Sequence, residues 1–523
     1  MTKKIDLIFL LALFLYSSYC VTQLGMTWDV GFHYTLGKDR LDYLFSLGSN
    51  EVNKTPYVNK FYTGTYSTIS ALFVQFFPRK YIIEAIYIFN LLFSIFAILG
   101  IYKISKELFN KQIGQIAFVI CFFNPIFFGH MAMNSTDTVI AFANIWCTYL
   151  VIRYLKFQKI IKRKNNYVIL LGLSLGLGLG VRHSFLITLL PVFIFLILEI
   201  FYLKIFIDKK FLKKVFIFDF IKVLLISYIF MILFWPQTHE NIFFIPLKLV
   251  IESLSFGFGA PYILFNGEIF LTHEIPKNYI LINLFYKMPE FTIVSFIIFI
   301  FLFKKIGSHF IKKFKGFYFK IFLIFLIILF PNILLWVNPY GVYDGFRLFI
   351  YIIPFISLIT AVLISFLIEK INLNLIKVIF SILIILKIFF IYNFFLLTPY
   401  HYVYLNIFAG KYSENYKKFE NDYWGISTKK LISQISNSEL LNNKKIKIAT
   451  CGLEENAQEN YLKKIKNLKF DLVNKDEEFD YIIMNNRVIW NSKSRQTCFQ
   501  KFNGKDIFKI KRRGLVLSKI TKI

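Results

Sequence analysis

This chain lacks the short motifs that mark nucleotide and metal sites. It has no phosphate-cradling GxxxxGK[ST] loop, and its densest glycine run, GLSLGLGLG, lies inside an apolar stretch instead of at a strand-to-helix turn. A nucleotide donor is therefore disfavoured. No HExxH, CxxC or DxD is present and the histidines are scattered, so spacing gives a metal no support. No cofactor is expected on this basis, and a divalent metal is left open. Five cysteines in 523 residues do not make a disulfide framework. Cys20, Cys121 and Cys147 fall within or at the ends of apolar segments, where thiols pack as small hydrophobes. Cys451 and Cys498 lie near the carboxyl end, either as a disulfide in an oxidising compartment or as two unpaired thiols. Acids are scarce, with 31 Asp and Glu against 61 Lys and Arg, for a net charge of +30. That excess does not indicate nucleic acid, because the lysines form short clusters between apolar runs, where positive-inside retention accounts for them.

What the chain has in abundance is apolar and aromatic residues, 57% and 20% of the sequence, with a mean hydropathy of +0.58. The balance is that of a polytopic membrane protein. Richness in Ile, Lys, Phe and Asn with few Ala also reflects an AT-rich coding sequence. Crossing the hydrocarbon core takes roughly 20 apolar residues. That ruler gives eleven spans, near 5–24, 81–102, 113–128, 136–155, 167–181, 184–203, 215–235, 290–304, 318–337, 347–368 and 374–397. Residues 66–77 read as a re-entrant or interfacial helix. The connections MTKK, KISKELFNKQ, KFQKIIKRKNN, KIFIDKKFLKK, KKIGSHFIKKFKGFYFK and EKINLNLIK are all basic, whereas the intervening short connections hold Arg182 as their only basic residue. The amino terminus is therefore expected in the cytoplasm, with residues beyond 398 outside. No small-x-small site follows the first span, which reads as an uncleaved anchor. The expected fold is mostly α: a membrane helical bundle over 1–398 with long external loops at 25–80 and 236–289, then an external region over 399–523. In that region IKIATCG, KFDLVN, FDYIIMNN and DIFKIKRRGLVLSKI alternate as strands, giving a small α/β part from about 445.

The buried-looking charges fall on the external side of this topology. Asp29 follows the first span, with His33 one turn later on the same face. A carboxylate there suits a general base, or is simply a solvated interfacial acid. FFNPIFFGHMAMNSTD breaks at Asn124 and Pro125, and His130, Asn134 and Asp137 share a face if the turn is helical. Asp137 is then either functional or a first-turn acid complementing the helix dipole. GLGLGVRHSF sets three glycines at every second position, which permits close helix packing, and Arg182 and His183 emerge at its end. A guanidinium there suits phosphate or pyrophosphate, with a snorkelling arginine as the alternative. Glu240 lies at the exit of the seventh span and Glu290 at the start of the eighth. Asp344 and Arg347 stand three residues apart, either paired with each other or part of a site.

TWDVGFHY, FFNPIFFGHMAMNSTD, GLGLGVRHS, KMPE, VYDGFR, PYHYVYLNIFAG and FENDYWG, in this order over about residues 20–425, resemble bacterial GT-C membrane glycosyltransferases. These are relatives of the protein O-mannosyltransferases and the lipid A aminoarabinose transferase. The resemblance implies a polyprenyl-phosphate-linked sugar as donor, transfer on the periplasmic face of an inner membrane, and a protein, lipid or polysaccharide acceptor. It implies Asp29 as the acid that acts as base or orients the acceptor, Asp137 as the second catalytic acid, and Arg182, with His183 and Arg347, as ligands of the donor phosphate. His33, Asn134, Glu240, Glu290 and Asp344 are further candidates. Many relatives carry two adjacent acids in the first loop, whereas Val30 follows Asp29 here. The PYHYVYLNIFAG to FENDYWG region is expected as a structural collar at the interface, with Asp422 and Trp424 near the acceptor as the alternative. A transporter, flippase or polysaccharide polymerase is the competing reading. A transporter would place ionisable groups near the midplane and show two related halves, and neither is visible in the sequence.

Overall fold

The computed structural model describes residues 3–50, 60–207, 211–254, 259–437, 445–490 and 495–523. All eleven expected spans are helical. In chain order the helices are α1 (Lys3–Gln23), α2 (Trp28–Phe45), α3 (Thr65–Val74), α4 (Ile82–Leu108), α5 (Lys111–Phe122), α6 (Pro125–His130), α7 (Asp137–Phe157), α8 (Ile161–Leu179), α9 (Phe185–Thr188), α10 (Leu190–Leu198) and α11 (Lys213–Leu233). There follow α12 (Phe244–Leu254), α13 (Tyr279–Lys287), α14 (Glu290–Phe301), α15 (Phe303–Phe310), α16 (Phe317–Val337), α17 (Ile353–Glu369), α18 (Asn374–Leu396), α19 (Thr428–Ser433), α20 (Glu455–Leu462) and α21 (Cys498–Lys501). Among the described residues six helical segments are individually long and apolar enough to cross a membrane, or up to eight if two bent pairs each count as one. The bent pairs are α1 with α2, at 95°, and α13 with α14, at 116°.

The shorter helices have local causes. The α5 helix stops before Asn124, whose side-chain oxygen accepts from the backbone N–H of Ile126 and Phe127 at 3.1 and 3.0 Å, with Pro125 at the first position of α6. The chain breaks at Leu189 between α9 and α10, with Pro191 in the first turn of α10. The first turn of α8 is IKRKNN, too charged to lie in hydrocarbon. The 66–77 segment forms the ten-residue α3, packed between α2 and α4.

Helix α8 lies closely on α11 because its glycines carry no Cβ. A Cβ at Gly172 would come within 2.7 Å of Ile226, and one at Gly176 within 2.7 Å of the Ser227 carbonyl. Gly178 leaves room for the Phe185 ring, and Gly180 for Thr65, whose Oγ1 would stand 2.0 Å from an added Cβ. The run thus fixes where Arg182 leaves the bundle.

Outside the bundle, β1 (Tyr262–Phe265) and β2 (Glu268–Leu271) form an antiparallel hairpin. Its turn is Asn266–Gly267, both at positive φ, the pairing a two-residue hairpin loop requires. The carboxyl-terminal strands are β3 (Ile446–Cys451), β4 (Phe470–Leu472), β5 (Tyr481–Asn485), β6 (Lys505–Arg512) and β7 (Leu515–Lys522). They form one sheet of order β4-β3-β5-β7-β6, with β3 parallel to both β4 and β5, and β7 antiparallel to β5 and β6. Cys451 at the end of β3 is bonded to Cys498 at the start of α21, which resolves the two alternatives left by the sequence.

The 399–427 stretch holds the sheet against the bundle. Asp422 is buried, accepting from Tyr402 Oη, from the backbone N–H of Ile426 and Ser427 at 3.0 and 3.1 Å, and from Ser427 Oγ at 2.5 Å. It is a collar residue. Glu290 is a second tie, accepting from Tyr404 Oη at 2.8 Å and from the Ile407 N–H at 3.0 Å. The opposite end of the bundle is the lysine-rich one, where Glu107 pairs with Arg153 and Lys156 at 2.9 and 2.7 Å.

Candidate functional site

Six of the charged side chains form one alternating network at the end of the bundle nearest the sheet. Arg347, in the 3-10 turn Arg347–Ile352 that leads into α17, donates from Nε to Asp137 at 2.9 Å, from NH1 to Asp344 at 2.8 Å and from NH2 to Asp29 at 2.8 Å. Arg182 donates from NH1 to the other oxygen of Asp137 at 2.7 Å. Arg487, in the segment after β5, donates from NH2 to the other oxygen of Asp344 at 3.2 Å and from NH1 to the Tyr423 carbonyl. Three guanidiniums and three carboxylates thus balance in charge, and the pairing is what makes their shared burial tolerable.

Local folding explains each position. Asn134 accepts from the Asp137 N–H at 2.9 Å and donates to the Asp137 carboxylate at 3.0 Å, so it starts α7 and orients its first side chain together. Asp137 is therefore both the first-turn acid of α7 and a member of the network. Asp344 sits at φ 55°, followed by Gly345 at φ 65°, a left-handed pair that turns the chain back into the site. Trp424 presents its ring 4.6 Å from the Arg347 guanidinium carbon.

The carboxylates are not equivalent. Asp137 and Asp344 have 3% and 2% of their side chains exposed, and both oxygens of each are engaged. Asp29 is 32% exposed and uses one oxygen, Oδ2, on Arg347, while Oδ1 has no partner among the described residues. The arginines differ in the same sense. Arg347 is 5% exposed with three nitrogens on carboxylates, whereas Arg182 is 25% exposed and engages one. Burial opposes the charge on Arg182, but Asp137 beside it raises its pKa above the ordinary arginine value.

Other expected residues stand at the rim or elsewhere. His33 lies beside Ser67 at 3.4 Å and edge-on to Tyr62, near Asp29. His183 turns away from the network and lies on the Trp235 ring at 4.9 Å, where burial lowers its pKa to about 4. Glu240 is exposed on the surface, and Glu290 belongs to the collar. His130 donates from Nδ1 to the Ile126 carbonyl at 2.7 Å, so its Nε2 accepts from Tyr423 Oη at 2.7 Å. Burial lowers its pKa to about 4, and it supports the wall behind Asp137 as a neutral ring. Among the described residues no three His, Cys, Asp or Glu side chains are grouped as metal ligands. Arg487 was not anticipated from the sequence, and no local signal marks it in NNRVIW. An apolar cavity of about 50 Å³ lies between α7, α8, α10 and α11, lined by residues such as Val151, Leu175, Val192 and Val223.

Residues 66–235 match the family model described as dolichyl-phosphate-mannose-protein mannosyltransferase. The fold is similar to that of ArnT from Cupriavidus metallidurans. The crystal structure bound to undecaprenyl phosphate aligns over 100% of this chain and 98% of that one, at 7% identity with a TM-score of 0.51. The apo crystal structure of the same protein aligns over 99% and 97%, at 8% identity and TM-score 0.51. No curated protein matches in sequence. The likeness to ArnT shows the fold over the whole chain, and the match to the mannosyltransferase model covers residues 66–235. The chain thus resembles the protein mannosyltransferases over 66–235 and ArnT in its whole architecture.

Proposed function

We propose that the protein transfers a sugar from a polyprenyl-phosphate donor to an acceptor by a single inverting displacement, with Asp29 as base and Arg182 holding the departing phosphate. The asymmetry among the carboxylates carries this reading: Asp29 alone of the three is open to solvent with an oxygen unengaged. The acceptor hydroxyl or amine gives its proton to Asp29 Oδ1 as its heteroatom bonds to the anomeric carbon. The bond from that carbon to the phosphate oxygen breaks on the opposite side, and polyprenyl phosphate leaves with the electron pair. The open edge of Arg182 faces the charge that grows on the leaving group, where a guanidinium hydrogen bonds strongly. Arg347 positions Asp29, Asp137 and Asp344 together. The undecaprenyl phosphate seen in the ArnT neighbour supports a lipid phosphate of this kind.

Residues 1–398 are the membrane part and 399–523 lie beyond it on the periplasmic side of a bacterial inner membrane. The lysine-rich far end and the Cys451–Cys498 disulfide both favour that orientation. The test uses purified protein in lipid nanodiscs with radiolabelled polyprenyl-phosphate sugars and a membrane extract. Wild type is expected to release label from the lipid into a product, and Asp29→Asn to release it about 10²-fold or more slowly. No release by folded wild type from any donor would overturn the reading.

A further inference from the structure

We infer that a cavity between the carboxyl-terminal sheet and the bundle binds a pyranose ring of the acceptor, making a glycan or the sugar of a glycolipid the acceptor class. The inference rests on the transferase reading for its meaning, though not for its measurement. The cavity measures about 170 Å³ and opens beside Trp28, the residue before Asp29. Its other walls include Arg487, Trp490, Lys475, Glu455 and Thr450.

Three observations point to a sugar. First, Trp28 and Trp490 stack with ring centroids 5.7 Å apart at 26°, the Arg487 guanidinium carbon lies 5.4 Å from the Trp490 ring centre, and Trp490 is 40% exposed, so part of the indole is open at the rim. Indoles are amphipathic platforms on which one apolar face of a pyranose can lie. Second, two N–H donors on the lining side chains, Trp28 Nε1 and Arg487 Nε, are buried without partners among the described residues. Arg487 is only 5% exposed, and an unpaired buried donor is costly unless a ligand supplies the acceptor. Hydroxyl and ring oxygens of a sugar do so. Third, the walls mix Arg487, Lys475, Glu455 and Thr450 with the indoles, a lining that would leave an acyl chain beside uncompensated polar groups. The cavity is also smaller than the roughly 300–1,000 Å³ that takes a drug-sized ligand, so it suits a single ring.

The position is functional as well. Arg487 lines the cavity and donates from NH2 to Asp344, and Asp344 is held by Arg347, the partner of Asp29. A sugar seated on Trp490 and Arg487 therefore abuts the network that holds the base. Specificity for the acceptor then comes from the carboxyl-terminal sheet, while the bundle supplies the chemistry.

The experiment is a tryptophan-fluorescence titration of full-length protein in nanodiscs. The probes are chitotetraose, cellotetraose, a galacturonic acid trimer and a short-chain glycolipid, with an unglycosylated Ser/Thr peptide and the corresponding lipid without its sugar as comparators. Saturable quenching by a soluble oligosaccharide identifies a glycan source, and quenching by the glycolipid alone identifies a lipid-borne sugar. Either supports the inference when Trp490→Ala weakens it by about tenfold, the scale of one lost aromatic platform. Arg487→Lys, which keeps the charge and loses the fork, is expected to weaken it also. No quenching by any saccharide, quenching unaltered in Trp490→Ala, or binding of the peptide alone overturns it. The binding measurement contains no donor. Saccharide binding without label transfer from any lipid donor would sink the proposed function and leave this inference standing, whereas transfer to a peptide would do the reverse.

Discussion

Changing Asp29 and Asp344 to Asn, one at a time, separates chemistry from stability, because the same substitution removes the same charge from two differently placed carboxylates. Asp29 is 32% exposed and makes one ion pair, so its loss leaves Arg347 still held by Asp137 and Asp344. The stability cost is expected at about 1 kcal/mol or below, the range of exposed pairs. Asp344 is 2% exposed and bridges Arg347 to Arg487, so Asp344→Asn leaves two buried guanidiniums short of a counter-charge. Breaking a buried pair in this way costs about 3–5 kcal/mol. Asn is the right probe because Asp344 stands at φ 55°, a conformation Asn tolerates, so backbone strain adds little. The rate effects run in the opposite order. Removing the base is expected to lower transfer about 10²–10⁴-fold at saturating donor. Thermal unfolding in nanodiscs and initial transfer rates, measured on the same preparations, read both quantities. Asp29→Asn retaining more than about a tenth of the wild-type rate would refute the assignment of the base. An equal loss of stability in the two variants would refute the distinction drawn from their burial.

Further outcomes follow from the same geometry. Arg182→Met leaves Asp137 bonded to Arg347 and Asn134, so it is expected to unfold close to wild type while lowering donor turnover about 10²-fold or more, read as kcat and KM for the lipid donor. Burial pushes the pKa of Glu420 up to about 7, against the opposing pull of Arg487, with Asp344 raising it further and Lys287 lowering it. Its folded pKa exceeds the unfolded value near 4.3, so its stabilising effect is full below that pH and is lost as pH rises to about 7. Thermal unfolding should therefore occur at lower temperature at pH 7.5 than at pH 5, and Glu420→Gln should flatten that slope. Reducing the Cys451–Cys498 bond, which closes a separation of 47 residues, is expected to cost about 4 kcal/mol in the sheet region. Because the Cys498 N–H donates to the Arg487 carbonyl at 2.9 Å, reduction should also lower transfer, measured with and without dithiothreitol. A bulky side chain at Gly180 meets Thr65 at once, so Gly180→Val should displace the Arg182 turn and abolish transfer, with Gly172→Ala, further from that turn, losing less.

How much of this was readable in the sequence depends on the range of each interaction. The helices of the bundle follow from apolar length, set by residues near in sequence, whereas the hairpin at Asn266–Gly267 lies in a stretch read only as an external loop. Lysine placement alone put Asp29, Asp137, Arg182, His183, Glu240, Glu290, Asp344 and Arg347 on one face, and of these the structure joins Asp29, Asp137, Arg182, Asp344 and Arg347 in one network. Which partner each charge takes was not legible. Asp344 and Arg347 do pair with one another at three residues' separation, yet Arg347 also reaches Asp29 across 318 residues and Asp137 across 210. Such contacts depend on how bent helices pack, which periodicity does not encode. His183 shows the converse: its neighbour Arg182 enters the network while its own ring packs on Trp235, since adjacent residues leaving a helix end point in different directions. Arg487 was out of reach because its place is set by the docking of the sheet, through Asn485 on the Asp422 carbonyl and the disulfide beyond.

The charge balance of the network bears on how the proposed reaction would be driven. With the base ionised, three guanidiniums meet three carboxylates, and neither sign dominates the resting site. In the proposed displacement, the proton lost by the acceptor arrives on Asp29 as the bond to the phosphate oxygen breaks. Asp29 then ceases to neutralise Arg347, so positive charge becomes uncompensated within the network at the moment the leaving phosphate gains negative charge. The ion pair from Arg347 to Asp29 thereby couples the two ends of the reaction. A network neutral toward the ground state becomes attractive toward the transition state, and interactions of that differential kind raise kcat instead of merely tightening binding. Burial strengthens the effect on the Arg347 side, where Arg347, Asp137 and Asp344 are 2–5% exposed and poorly screened by water, while Asp29 stays 32% exposed. Arg182, outside the bonds that Arg347 makes, meets the phosphate directly through its open edge. On this logic the two arginines are not duplicates: one grips the leaving group, and the other transmits to it the protonation of the base.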